Sequence, residues 1–233
     1  MKQREKEILD GLIISDGCLY CPYQNSRISF SLKYKDFAQA IAKSLPSIDW
    51  ADILESVIFD KRTNKGYDRK SLRSRVHPYL TTQYHRWYKS GKKIVPRDLK
   101  VTEVMLLWWY LGDGCLVKKK SRPNHRRVAL ATNSFSDEDR EFLISLLIKL
   151  LGTENSIYSE SRTIIIGRDA LCKMASILKS KNPASCYDYK FDFGQYNNTN
   201  YLKDSYKDRP LVKINAYRKK HKVREFDLAL LED

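Results

Sequence analysis

Two carboxylates stand in identical four-residue settings, Asp16-Gly17-Cys18-Leu19 and Asp113-Gly114-Cys115-Leu116, with an interval of 97 residues from 16 to 113. Repetition of this kind implies two copies of one ancestral unit. A lone Asp-Gly is a common turn dipeptide and carries no chemistry by itself. Here each copy closes an apolar run, so that if the runs are helices both carboxylates lie at C-terminal helix ends. The exposed carbonyls there, those of Ser15 and Gly112, add negative potential. Carboxylates and carbonyls are the hard oxygen donors that magnesium prefers, and magnesium keeps several of its waters when so bound. Two or more Mg2+ ions on Asp16, Asp113 and the Ser15 and Gly112 carbonyls would suit hydrolysis of a phosphodiester. Metal ions can activate the attacking water, neutralise the phosphate and stabilise the leaving alkoxide.

Elements must hold these groups. Ile8, Leu9, Leu12 and Ile13 recur at helical spacing within Glu7 to Ser15, with Gly11 and Ser15 on another face. Val104 to Leu111 is apolar all round, so a helix there is buried on every side. Two such helices at the centre of a pseudo-twofold are the economical arrangement. Arg27 to Lys33 alternates strictly, and segments 53–60 and 72–80 read as further strands. In the last of these Arg73, Arg75, His77 and Tyr79 share a face. After the second Asp-Gly, Val128 to Thr132 and the pair 155–160 and 162–167 take the corresponding parts. Helices are expected at Asp36–Leu45, Thr82–Ser90, Ser136–Leu151 and Arg168–Lys179. The third carries a Ser N-cap, an acidic first turn and a closing Gly152. Each half thus reads αββαββα, giving an α+β fold of two tandem repeats, 1–98 and 99–193, and a basic extension at 194–233 whose structure the pattern leaves open.

A net charge of +15 over 233 residues points to a polyanionic partner, because lysines and arginines gain free energy by releasing phosphate counterions. No apolar run reaches the roughly 18 residues that span a bilayer, and Met1 to Glu7 is too charged for a signal peptide. The expectation is an intracellular protein without a membrane partner, with bacterial, phage and organelle-encoded origins left open. Five dispersed cysteines suit a reducing compartment, and Cys18-x-x-Cys21 lacks the second ligand pair of a structural zinc site. The DNA-contacting surface is expected from alternation and from basic stretches. It comprises Arg27, Ser29, Ser31 and Lys33; Lys61, Arg62, Arg69, Lys70, Arg73, Arg75 and His77; and Lys118, Lys119, Lys120, Arg122, Arg126 and Arg127, with Tyr158 and Arg162. A β-ribbon fits the major groove, where arginine reads guanine, whereas the denser runs contact mainly phosphate. Lys118 to Arg122 is read as a hairpin loop, and a third basic stretch runs from Lys203 to Arg224.

Leu9-Asp10-Gly11-Leu12-Ile13-Ile14-Ser15-Asp16-Gly17 resembles the motif L-A-G-L-I-D-A-D-G. Leu106-Leu107-Trp108-Trp109-Tyr110-Leu111-Gly112-Asp113-Gly114 is similar to the aromatic-rich second motif of single-chain members of that family, with Trp108 where the consensus has Gly. Lys92-Lys93-Ile94-Val95-Pro96 and Thr132-Asn133-Ser134-Phe135-Ser136 resemble the family's flanking segments. The resemblance covers roughly residues 5 to 193 and identifies the chain as a single-chain LAGLIDADG homing endonuclease. It implies a pseudo-twofold saddle with a central helix pair and DNA-facing antiparallel sheets. It also implies a monomer that cuts double-stranded DNA at a long asymmetric site and leaves 3′ overhangs. One basic residue per half is further implied near the scissile phosphates. Lys93 follows Asp16 by 77 residues and Lys190 follows Asp113 by the same 77, with Lys92 an alternative to Lys93. An RNA maturase acting on a host intron RNA is the rival reading on the same fold, and a non-catalytic DNA-binding regulator is a third.

Overall fold

The computed structural model describes residues 1–21, 24–119, 122–154 and 156–194, with 119 and 122–125 described by backbone alone. The expected order recurs twice. The first half runs α1 (Gln3–Ile14), β1 (Cys18–Tyr20), β2 (Arg27–Leu32), α2 (Lys35–Ser44), β3 (Leu54–Asp60), β4 (Lys65–Arg73) and α3 (Pro78–Trp87). A two-residue hairpin, β5 (Tyr88–Lys89) and β6 (Lys92–Lys93), leads into the second half. There follow α4 (Glu103–Asp113), β7 (Gly114–Lys119), β8 (Arg122–Ala131), α5 (Asp137–Leu151), β9 (Ile157–Glu160), β10 (Thr163–Ile166), α6 (Arg168–Leu178) and a closing 3-10 helix, Ser185–Phe191. The antiparallel sheets have matching orders, β1-β2-β4-β3 and β7-β8-β10-β9.

Local chemistry accounts for the helix boundaries. The Thr102 hydroxyl accepts from the N–H of Met105 at the start of α4, and Ser136 accepts from Asp139 at the start of α5. Gly152 closes α5 in the left-handed region, at φ 66°. All seven residues from Met105 to Leu111 are buried, as their apolarity requires.

The strand expected at 72–80 is corrected. Pairing lies upstream at Lys65–Arg73, and Pro78 begins a helix instead. Proline has no N–H for a sheet ladder, whereas its fixed φ suits the first turn of a helix. His77 is therefore the N-cap of α3, its Nδ1 accepting from the N–H of Tyr79 at 3.1 Å. Arg73 ends the strand, Arg75 lies beyond it and Tyr79 is helical, so the four residues do not share a sheet face. Lys118 and Lys119 belong to β7 rather than to a loop.

The core is organised around the crossing of α1 and α4. A Cβ on Gly11 would lie 2.5 Å from the Met105 carbonyl oxygen and 2.9 Å from Cβ of Trp108. One on Gly112 would lie 2.4 Å from Oγ of Ser15. Residues 11 and 108, like 15 and 112, are equivalent under the 97-residue repeat. At both levels one helix contributes a glycine and the other a side chain, so Trp108 is accommodated by Gly11 and the close crossing survives. One edge of this crossing is fastened to α3. Asp10 accepts from Arg86 at 2.7 Å and from the Trp87 indole at 3.2 Å, and Arg86 also donates to Asp98.

Candidate active site

Both Asp-Gly turns emerge from the crossing. The N–H of Gly17 returns to the Leu12 carbonyl at 2.8 Å, and a Cβ at Gly17 would meet that carbonyl oxygen at 2.6 Å, so the tight turn needs glycine. Asp16 stays open to solvent but leans toward the second half, its Oδ2 3.4 Å from where a Cβ on Gly112 would be. Asp113, the last residue of α4, is half-buried.

The two lysines occupy matching places at these helix ends. Lys93 Nζ donates to the carbonyls of Ile13 (2.7 Å), Ser15 (3.3 Å) and Gly17 (3.0 Å). Lys190 Nζ donates to those of Leu111 (2.6 Å), Tyr110 (3.3 Å) and Gly112 (3.5 Å). Carbonyls unpaired at a helix C-terminus attract cations, which is why a lysine at each end is stable there. Lys92 is exposed and Lys93 is turned inward, so Lys93 is the member of that pair at the carboxylates. The surroundings of the two ammonium groups differ. Lys190 lies 4.4 Å from the Tyr187 ring centroid and 5.8 Å from that of Tyr110, whose hydroxyl donates to the Lys190 carbonyl at 2.5 Å.

Desolvation shifts every one of the four groups toward its neutral form, including Asp16, whose side chain still reaches solvent. Burial, then the neighbouring charge of Asp16, pushes the Asp113 carboxyl up to about 6, against the pull of Lys93 and Lys190. Asp16 is raised by desolvation, again opposed by both lysines. Burial lowers the Lys190 ammonium to about 8 and lowers Lys93, with the two carboxylates opposing in each case. Two like-charged carboxylates confined together, with carbonyl oxygens adjacent, form a donor set that a hard divalent cation would relieve. The oxygens of Asp16, Asp113, Ser15 and Gly112 therefore fit Mg2+, although the Ser15 and Gly112 carbonyls already receive ammonium protons.

The sheets flank this centre. On β2, Ile28, Phe30 and Leu32 are buried, and Arg27, Ser29 and Ser31 take the open face. Ser29 lies opposite Arg73 and Ser31 opposite Ser71, which places Arg73 and, two residues along, Arg69 on the same face. Tyr20 joins them, with the Arg27 guanidinium 5.3 Å from its ring. Lys33 follows the strand and lies over Tyr34, while Lys61 and Arg62 occupy the β3–β4 turn, Arg62 paired with Asp60. In the second sheet Arg127 and Tyr158 take the open face, Arg127 bonded to Glu160 at 2.6 Å, and Arg162 sits in the β9–β10 turn.

Three expected members are turned the other way. Lys70 lies opposite Leu32 on the helix-covered side and pairs with Glu55 at 2.7 Å. Lys118 and Arg126 share the side of Leu116 and Val128, and both hold Asp192. Period-two alternation decides this, since neighbours on a strand face opposite ways. His77 leaves the face as a helix cap and Arg75 is exposed beyond the strand. The side chains of Lys119 and Arg122, together with all of Lys120 and the extension from 195 onward, lie outside the described residues.

Sequence comparison completes the assignment. The profile of the LAGLIDADG DNA endonuclease family matches residues 6–171, well over half of the chain. The chain belongs to the LAGLIDADG family. α1 and α4 are its two LAGLIDADG helices. Among solved structures, the homing endonuclease I-WcaI bound to its DNA recognition sequence superposes with a TM-score of 0.75 at 18% identity, over 83% of this chain and 88% of that one; the likeness is one of fold. Full-length DUF199/WhiA from Thermatoga maritima gives a TM-score of 0.48 at 13% identity, over 96% of this chain and 69% of that one. A curated relative, an uncharacterised protein of Methanocaldococcus jannaschii, is 27% identical over 148 residues, which is 63% of this chain. The chain spans about half the length of that relative, 56% of which is matched. Among the described residues no helix is long and apolar enough to cross a membrane.

Proposed function

We propose that this LAGLIDADG protein is a monomeric, magnesium-dependent endonuclease that cuts both strands of a long asymmetric DNA site and leaves 3′ overhangs. The observation that carries the reading is the meeting of Asp16, Asp113, Lys93 and Lys190 at the ends of two crossing helices, between two sheets whose open faces carry Arg27, Arg73, Arg69 and Arg127. Asp16 and Asp113, with the Ser15 and Gly112 carbonyls, would hold the metal, which when bound supplies an activated water and neutralises charge on the phosphate. Lys93 and Lys190 orient water and stabilise charge on the phosphoryl oxygens as the P–O3′ bond breaks. The products are a 5′-phosphate and a 3′-hydroxyl, the leaving oxygen taking up a proton. Arg27 and Arg73 read base edges, and Lys33, Lys61 and Arg62 contact phosphates.

The test is cleavage of a plasmid library containing the native site by purified protein, in magnesium and in chelator, with sequencing of the ends. Magnesium-dependent cuts at one site with matching 3′ overhangs are expected. Full activity in Asp16→Asn and Asp113→Asn would remove the site assignment. Binding without cuts, joined to stimulated splicing of a host intron RNA, would establish the maturase reading instead.

A further inference from the structure

The catalytic lysines do not owe their positions to their own halves alone. Two residues after Lys93, the N–H of buried Val95 donates to Oδ2 of Asp139 at 3.4 Å, and Arg97 donates to Oδ1 at 3.1 Å. Asp139 lies in the first turn of α5, in the second half, and is 6% exposed. From the same helix, Phe142 lies beneath the Arg97 guanidinium at 4.9 Å. At the other site the relation is reversed. Asp36, in the first turn of α2 in the first half, accepts from the Ser185 hydroxyl at 3.2 Å and from the N–H of Cys186 at 3.1 Å. Its neighbour Phe37 packs edge-on against Tyr187 at 4.9 Å, and Tyr187 is the ring over the Lys190 ammonium.

At each site, then, one carboxylate and one aromatic ring from the second helix of the opposite half grip the segment within five residues of the lysine. An acid in a first helical turn is favoured by the helix dipole wherever it occurs. That explains the residue type but not why its oxygens are taken by donors from the other half. Without Asp139 the Val95 N–H would be buried and unpaired, and unpaired donors move to find partners. A lysine displaced by about 1 Å from its working place can lose on the order of 100-fold in rate.

We propose that Asp139 and Asp36 are positioning residues for strand cleavage, each acting from the opposite half: Asp139 sets Lys93 and Asp36 sets Lys190. Neither half then holds a complete site, and each strand is cut only when the two halves are docked. The inference rests on the nuclease reading, with the two lysines serving different strands.

The experiment follows both strands of the cognate duplex, separately end-labelled, in single-turnover cleavage by the full chain with magnesium. Lys93→Met and Lys190→Met come first and are expected to leave nicks in opposite strands. If they do not, the assignment of lysines to strands falls and this proposal with it. Given opposite nicks, Asp139→Ala is expected to slow the Lys93 strand by about 10- to 100-fold, and the other less than twofold. Asp36→Ala should do the converse. Asp139→Asn keeps an acceptor for Val95 and should show the same strand bias at smaller size, which serves should the alanine variant fold poorly. DNA affinity measured in calcium should stay within twofold for the Asp36 and Asp139 variants. Equal slowing of the two strands, or the same strand slowed by both acids, would overturn the proposal and make the contacts purely structural.

Discussion

Replacing Asp113 by Asn should stabilise the fold while it abolishes cleavage, and the size of the gain follows from the enclosure of the site. Burial and the nearby Asp16 raise the Asp113 carboxyl from an ordinary 3.8 to about 6. The folded protein therefore holds a proton there that the unfolded chain releases. A raised carboxyl contributes stability below pH 3.8, and that contribution is lost as pH rises through about 6. At about 1.4 kcal/mol per pH unit, the gap from 3.8 to about 6 corresponds to roughly 3 kcal/mol of strain at neutral pH. Asparagine carries no such charge. In chelator, the stability of Asp113→Asn minus that of the unsubstituted protein should be near zero at pH 4, grow through pH 6 and level off near 3 kcal/mol above pH 7. With a melting shift of about 2–4 °C per kcal/mol for a chain of this size, the variant should melt roughly 6–12 °C higher at pH 7.5. Thermal unfolding by circular dichroism from pH 4 to 8 measures this, and differencing the two proteins cancels the carboxylates that do not interact with Asp113, Asp16 being the one that does. Magnesium should narrow the gap by stabilising only the unsubstituted protein. A gap that is absent, or constant with pH, would mean that Asp113 is not confined as described.

Three further outcomes follow from the same contacts. Gly11→Ala should cost about 1–3 kcal/mol in urea unfolding, because its methyl group would meet the Met105 carbonyl oxygen 2.5 Å away and part the crossing helices. Asp10→Ala should cost about 2 kcal/mol, since it leaves Arg86 with only the exposed Asp98 as carboxylate partner and the Trp87 indole unpaired; an unchanged urea midpoint would count against this network. Lys61→Gln, in the β3–β4 turn assigned to phosphate, should weaken DNA binding and reduce the slope of log affinity against log salt by about 0.9, whereas Lys70→Gln, on the covered side of β4, should leave the slope unchanged.

The elements most legible in the sequence are those whose signal is local. Ser136 and Gly152 announce the two ends of α5, the unbroken apolarity of 104–111 announces a helix buried all round, and Ile28, Phe30 and Leu32 announce a strand with one covered face. The positions of Asp16 and Asp113 at equivalent helix ends are legible because the repeat carries identical tetrapeptides there. Elsewhere the local signal is ambiguous. The alternation of Arg73, Arg75, His77 and Tyr79 imitates a strand, yet Pro78 cannot supply its share of the ladder. β1 is three residues long, too short for alternation to declare itself, so Tyr20 on the open face went unread. The phase of the basic residues was the larger loss. Lys70 and Arg69 are adjacent in a basic stretch, and only the pairing of Lys70 with Leu32 and Glu55 reveals which of them looks outward. The grips of Asp36 and Asp139 join residues more than 40 positions apart, and no local pattern records them.

The alternation of glycine and side chain along the central crossing also decides which partners these helices can accept. Two copies of the first half, brought together on their own axis, would set Gly11 against Gly11 and leave a void where Trp108 now fits. Two copies of the second would drive Trp108 into Trp108. Each half has become a key cut for the other alone. Severed between the two repeats and produced as separate polypeptides, the halves should reassemble as a heterodimer and shun both homodimers. The two halves thus differ enough at their crossing that simple fission should not return a symmetric dimer.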